Sequence, residues 1–426
     1  MRCDVLVVGS TLGGLVAATY LAREGLRVVL IEEDVQSKRP PALREPFLLS
    51  GLDSQGCVRR VLREVALPLR EQQEIRVVAR PVQVVLPSAR VDVTPGTEEL
   101  AQELAAYRLC TPDAARAWLE SSDRRGEEAR EELWNEGQLR HGRPDTPGEK
   151  APAECVPFRA ALHGTVRALD APPGPAASAF LLRTARLAAF RMPHAGTPFL
   201  DLFRRRLSHL FAEIHPTGAL ALHGERDHVE IELDRGGFRA RALVVAVPRE
   251  PLWRALAAGG APEWLAPGPP VRHMPSRLFR VDAQAVPLGM GDRTVVATGA
   301  AETLHWFSRI PEPGHPDIEW LLVQGPGAAA RTEQDPFGEL APFGTKGAIA
   351  IDAGPQPRWD LDACELRIPP GAPPPARPRV PLVYVGPEPS AGLGFDGEVL
   401  MARHRARELA RQLNARKPPV AFHRPL

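Results

Sequence analysis

The sequence predicts an α/β protein: a doubly wound parallel sheet with an inserted α+β domain. Three observations predict it. An apolar, β-branched run, DVLVV (4–8), leads into a glycine-containing turn and then a helical repeat of small and apolar residues. A second apolar run, LRVVLIE (26–32), completes strand, turn, helix and strand within about thirty residues. Near the other end, LVYVGPEPSAGLGFDGEVLMARHRARELARQL (382–413) repeats the order of strand, glycine-rich turn and helix.

Taken in order, Val5 to Val8 is uninterrupted by polar residues, which suits a strand buried on both faces of a parallel sheet. Leu15, Ala18, Leu21 and Ala22 recur at helical spacing, and Gly25 is placed to close that helix. The turn between strand and helix has the chemistry of a Rossmann-like dinucleotide cradle. Gly9 permits the tight exit from the strand, Gly14 lets the helix pack closely on the sheet, and Gly13 adds clearance. Glu32, 23 residues after Gly9, ends the second strand, where a carboxylate accepts hydrogen bonds from ribose hydroxyls. Thr11 holds the middle position, normally a glycine so that the backbone can approach a pyrophosphate. Its β-branch costs clearance, while its hydroxyl and the helix N-terminus beginning at Leu12 still suit an anion.

Composition is ordinary for a globular protein, with 44% apolar and 25% charged residues, and 426 positions suffice for roughly two to three domains. A net charge of +1 offers no basic surplus, so no nucleic-acid partner is expected. Cys3, Cys57, Cys110, Cys155 and Cys364 are scattered without a CxxC pair, which predicts reduced thiols, a cytoplasmic protein and no metal site. The stretch Val5 to Ala22 is apolar, but Asp4, the glycines and Arg23-Glu24 argue against a signal peptide or membrane span. The chain is therefore expected to start with its fold. RIPPGAPPPARPRVP (367–381) reads as an extended linker or surface loop, and 120–154 as an exposed charged helix followed by loop.

Further pieces follow along the chain. VLREVALPL (61–69), ARPVQVVLPSARVDV (79–93) and GTEELAQEL (96–104) are three of them. From 191 to 256, Phe199, Leu202, Phe203, Leu207, Leu210, Phe211 and Ile214 form a core-facing helical stripe, and strands follow that end in ARALVVAVPREPL (240–252). RVDAQAVPLGMGDRTVVA (280–297) adds a strand and turn. Together with Gly386, Gly392, Gly394 and Gly397, these pieces resemble in order and spacing the phytoene desaturase-like flavoproteins. The broader group includes amine oxidases and Rab GDP dissociation inhibitors, which share a fold without sharing chemistry.

The resemblance implies FAD as cofactor. It implies Leu220 against the adenine ring through backbone groups, and a C-terminal glycine loop closing over flavin and pyrophosphate. It also implies an FAD-binding domain assembled from 1–85, 186–262 and 381–418, a substrate or cap domain from 86–185 and 263–380, and a tail at 419–426. The sequence departs from the family at several cofactor positions. Lys38 and Arg39 stand where two glycines usually follow the ribose carboxylate, either to pair with the pyrophosphate or to block the flavin path. Pro387 replaces an acid, and Met401-Ala402 replace Ser-Gly.

Two functional readings stay open. In one, a desaturase- or dehydrogenase-like flavoenzyme passes hydride between FAD and an apolar small molecule of isoprenoid type. In the other, the fold has lost FAD and binds a lipid or protein partner without catalysis. No GxSxG or HExxH motif names a catalytic residue. His194, His209, His215, His223 and His228 lack ligand spacing, and His305, Trp306 and Trp320 read as core packing. Peripheral membrane contact through the cap stays open as well.

Overall fold

The computed structural model describes residues 1–32, 48–53, 56–67, 75–78, 81–137, 151–166, 175–216, 221–256 apart from 226 and 235, 272–297, 304–325, 348–352, 356–358, 380–386 and 393–415, with 265, 328, 331, 336, 337, 340 and 390 as single residues. The chain opens with β1 (Arg2–Val8), α1 (Leu12–Arg23), β2 (Val28–Ile31), β3 (Leu48–Ser50), α2 (Cys57–Glu64) and β4 (Arg76–Val77). There follow β5 (Val82–Leu86), β6 (Ala89–Val93), α3 (Thr97–Ala106), α4 (Pro112–Glu136), α5 (Val156–Val166) and α6 (Pro175–Arg186). Next come β7 (Ala189–Arg191), α7 (Thr197–His209), β8 (Glu213–His215), β9 (Ala221–Gly224), β10 (Val229–Leu233), β11 (Gly236–Val245) and α8 (Arg249–Leu256). The last strands are β12 (Arg272–Met274), β13 (Ser276–Asp282), β14 (Arg293–Ala297), β15 (Leu304–Glu312), β16 (His315–Gln324), β17 (Ile349–Asp352), β18 (Gln356–Arg358) and β19 (Leu382–Tyr384). The final helix is α9 (Gly394–Ala415).

Among the described residues the first sheet runs β8-β2-β1-β11-β10-β9, with β19 also pairing β11. β1 lies parallel to β2 and β11, β2 to β8, and β19 to the C-terminal part of β11. Alternation along β1 explains its unbroken apolar run, since both faces are covered. Val5 and Val7 pack with Leu15, Val16, Phe203, Val399 and Ala402 beneath α1, α7 and α9. Leu6 and Val8 pack on the other face with Leu243, Leu252 and Leu256.

The second sheet runs β17-β13-β16-β15-β14-β5-β6. All its pairs are antiparallel except β14 with β5. Val82–Leu86 therefore belongs to this sheet. Its parallel partner at 293–297 lies more than two hundred residues away, which no local pattern reveals. Trp306 is buried among Phe158, Leu162 and Val84, and His305 is buried beside it. A third, small sheet runs β3-β7-β4.

Two sequence expectations are corrected here. The charged stretch after 120 is not an exposed helix: α4 buries Ala115, Trp118, Leu119, Ser122, Gly126, Ala129, Leu133 and Trp134 along one face. Its alternating charges masked a stripe carried largely by small residues, and α6 lies so close that a Cβ on Gly126 would meet the Ala179 carbonyl at 2.7 Å. Arg186, 1% exposed, ties this layer by pairing Asp123 at 2.7 Å and donating to Thr97 Oγ1 at 2.9 Å. The helical stripe of α7 also ends sooner than expected. Phe211 is 93% exposed with φ of 59°, because the helix stops at His209 and the chain turns left-handed, while Ile214 belongs to β8.

Among the described residues no helix is long and apolar enough to cross a membrane, and no cluster of His, Cys, Asp or Glu is arranged to hold a metal. The described cysteines Cys3, Cys57, Cys110 and Cys155 are free, although the Cys110 and Cys155 sulfurs lie 3.1 Å apart.

Candidate functional site

In an open parallel sheet, ligands bind beyond the carboxyl ends of the strands, where the connections part to opposite sides. Here that point lies between β1 and β11, since β2 and β8 lead away on one side and β19 joins on the other. Five strand ends meet there in register. Gly9 N donates to Ile31 O, Ala246 N to Val8 O, Glu32 N to His215 O and Val385 N to Val245 O, each at 2.8 Å.

The two glycine turns converge at this edge. Gly9 has φ of 107°, which an L side chain rarely adopts, and a Cβ there would meet Val247 Cγ1 at 2.5 Å. Gly386, with φ of 95°, brings the β19 turn against the first: a Cβ on it would lie 2.6 Å from Ala246 O and 3.3 Å from Thr11 Oγ1. From the opposite side, a Cβ on Gly13 would lie 2.9 Å from Gly386 N. Residues more than 370 apart in sequence are in contact without a gap.

Thr11 is the N-cap of α1. Its Oγ1 accepts from Gly14 N at 3.2 Å and donates to Ala246 O at 2.8 Å. The residue that breaks the expected glycine pattern thus serves the helix and the neighbouring strand. Thr11→Gly, which restores that glycine, is expected to lose both bonds and lower stability by about 1–2 kcal/mol. Urea unfolding of the purified protein reads this, and an unchanged midpoint would show that the cap contributes nothing.

The next donor on the helix is occupied as well. Gly13 N donates to Glu398 Oε1 at 2.6 Å, and Glu398 is 3% exposed. Glu398 lies in the first turns of α9, which packs along α1. At the ribose end, Glu32 is held by Arg204 of α7 through Nε at 2.5 Å, and Arg204 also pairs Asp201 at 2.8 Å. A dinucleotide's pyrophosphate would sit on the α1 N-terminus and its ribose on the β2 carboxylate. In the described conformation a protein carboxylate holds the first position and an arginine the second. The residues as placed do not fit FAD while Glu398 stays there.

Two residues before Glu398 in α9, Asp396 is buried and accepts from Cys57 Sγ at 2.6 Å and from Ser50 Oγ. Burial holds its carboxyl above the usual carboxylate range, against the lowering effect of those two hydrogen bonds. Burial likewise pushes the Cys57 thiol up, with the Asp396 carboxylate adding to it, so this thiol is no ready nucleophile. Beside Asp396, between α4 and α6, lies a small recess lined by residues that include Glu127, Arg130, Arg183 and Thr184.

Of the residues predicted from sequence, the structure brings Gly9, Thr11, Leu12, Gly13, Gly14 and Gly386 to one edge, with Glu32 at the neighbouring strand end and Gly394 and Gly397 at the start of α9. Lys38, Arg39, Leu220, Gly392 and Pro387 lie outside the described residues. Sequence reading missed Glu398, Asp396, Cys57, Ser50 and Arg204. A signal for two of them was present: FDGE puts two acids around Gly397 in a helix start otherwise made of small and apolar residues.

Comparison with known proteins adds to this picture. A family profile described as "FAD binding domain" matches residues 2–44. Long-chain-alcohol oxidase FAO3 of Arabidopsis thaliana is 49% identical over 53 residues, 12% of this chain and 7% of that protein. The chain thus spans a small fraction of that relative's length. An oxidoreductase from Methanosarcina mazei superposes with a TM-score of 0.59 at 13% identity, covering 96% of this chain and 100% of the other. Putrescine oxidase bound to putrescine superposes with a TM-score of 0.54 at 15% identity, over 96% and 99% of the two chains. The chain shares the fold of these two solved oxidoreductases, and its first βαβ unit matches the FAD-binding-domain profile.

Proposed function

We propose that this protein is an FAD-dependent oxidoreductase acting on a small molecule by hydride transfer. The observation that carries the reading is the meeting of the Gly9 and Gly386 turns at the point where the strand connections part, beside Glu32. Such an edge, in a chain with a flavoenzyme fold, is where a dinucleotide binds, and the cofactor would supply the redox chemistry. Gly9, Thr11, Leu12, Gly13, Gly14, Glu32 and the glycines of the β19–α9 turn are the proposed contacts, once Glu398 has moved. The proposed substrate is apolar and of isoprenoid type, a class that rests on the resemblance to phytoene desaturase-like proteins.

The test is the visible spectrum of the purified protein before and after incubation with FAD. A flavin band retained through gel filtration is expected, as is its anaerobic bleaching by an apolar polyene in preference to an amine. A preparation that stays colourless would end the enzyme reading. It would favour the second, a flavin-free binding protein on the same fold, which the seating of Glu398 on Gly13 N–H supports.

A further inference from the structure

The N-terminus of α1 already holds an anion, and it comes from the protein itself. Glu398 reaches Gly13 N across 385 residues of chain and is buried in doing so. A carboxylate accepting from a backbone N–H at the positive end of a helix makes a charge-assisted bond, the interaction the same N–H would offer a phosphate oxygen. The seat is built for it. A Cβ on Gly13 would lie 2.9 Å from both Cγ and Oε1 of Glu398, so the glycine gives the carboxylate its access. The neighbouring donors are spent too: Gly14 N on Thr11 Oγ1, and the Thr11 hydroxyl proton on Ala246 O. The second glycine turn closes on the same spot, since a Cβ on Gly13 would also lie 2.9 Å from Gly386 N.

We infer that Glu398 is a resident anion that closes the dinucleotide cradle, and that a pyrophosphate group binds only by displacing it. The glycine turns thus make a cradle that the chain itself keeps shut, and cofactor uptake is coupled to movement of the α9 N-terminus. The part of this inference that concerns FAD rests on the proposed flavin function; the part that concerns Glu398 and the anion position does not.

The experiment uses the full chain, with Glu398→Ala and Glu398→Gln as variants, and measures binding of inorganic pyrophosphate and of FAD by calorimetry. Pyrophosphate is expected to bind Glu398→Ala at least ten-fold more tightly than the parent protein and to raise the melting temperature of that variant more than that of the parent. Glu398→Gln keeps the volume and an acceptor oxygen without the charge, and it is expected to fall between the two. It also serves if the alanine variant does not fold. Equal pyrophosphate binding by parent and folded variant, or binding by neither, overturns the inference. If pyrophosphate discriminates as expected but no form takes up FAD, the resident anion stands and the flavin function falls. If FAD also binds the variants at least ten-fold more tightly than the parent, both stand.

Discussion

Replacing Arg403 by alanine is expected to cost about 3–5 kcal/mol, the largest effect of any single substitution considered. Arg403, 4% exposed, lies on α9 and joins three other helices. Its guanidinium pairs Glu64 of α2 through Nε at 2.7 Å and Nη2 at 3.0 Å, and donates from Nη1 to the Trp134 carbonyl of α4 at 2.8 Å. It also lies 3.6 Å from the centroid of the Trp134 ring. The Tyr20 hydroxyl of α1 donates to the same Glu64 carboxylate. Alanine at 403 removes the counter-charge and leaves a partly buried carboxylate and a buried carbonyl unsatisfied, which is where most of the cost arises.

The pH dependence gives a separate check. Burial alone would raise the Glu64 carboxyl, but the hydrogen bonds from Arg403 and Tyr20 outweigh it and hold the group below its usual value of 4.5. A depressed carboxyl stabilises the fold above the unfolded value, and that contribution is lost as pH falls through the folded value. The parent protein is therefore expected to lose stability on acidification below about pH 4.5, and Arg403→Ala to lose less over the same interval. Denaturant unfolding at pH 7 and across the acid range measures both. A variant within 1 kcal/mol of the parent would show that the pair is dispensable.

Gly14→Ala is the second large effect, expected at about 3 kcal/mol or more. Its added Cβ would lie 2.3 Å from Gly9 O and 2.6 Å from the Ala246 Cβ. The carbonyl belongs to the strand exit and cannot rotate away as a side chain could, so α1 must lift from β1 and β11. Lifting α1 also pulls Gly13 N from Glu398 and breaks the Thr11 cap. Adding Ala246→Gly relieves one of the two collisions, so the double variant is expected to regain part of the loss but not all of it. Thermal unfolding of the single and double variants tests this, and full recovery would show that the Gly9 carbonyl is not the obstacle.

Much of the fold was legible because it is written in short-range patterns. The βαβ unit was read from the buried run at 4–8, the helical spacing of Leu15 to Ala22 and the glycines between them, and the structure places β1, α1 and β2 there. Hydrophobic period misled where a helix ended early, as at Phe211, or where a stripe was made of small residues, as along α4. Period reports which face is apolar; it does not report where the backbone leaves the helix.

The sequence by itself determined the local elements of this protein, the two glycine turns and the chemistry they are suited to, because strands, helices and tight turns follow from residues near one another in the chain. The tertiary structure alone decided what fills the cradle. Glu398 on Gly13, Arg204 on Glu32, Cys57 on Asp396 and Arg403 on Glu64 join residues 385, 172, 339 and 339 positions apart. Such pairs depend on how α9 and α7 dock on the sheet, and a carboxylate in a sequence carries no mark of which helix N-terminus it will reach.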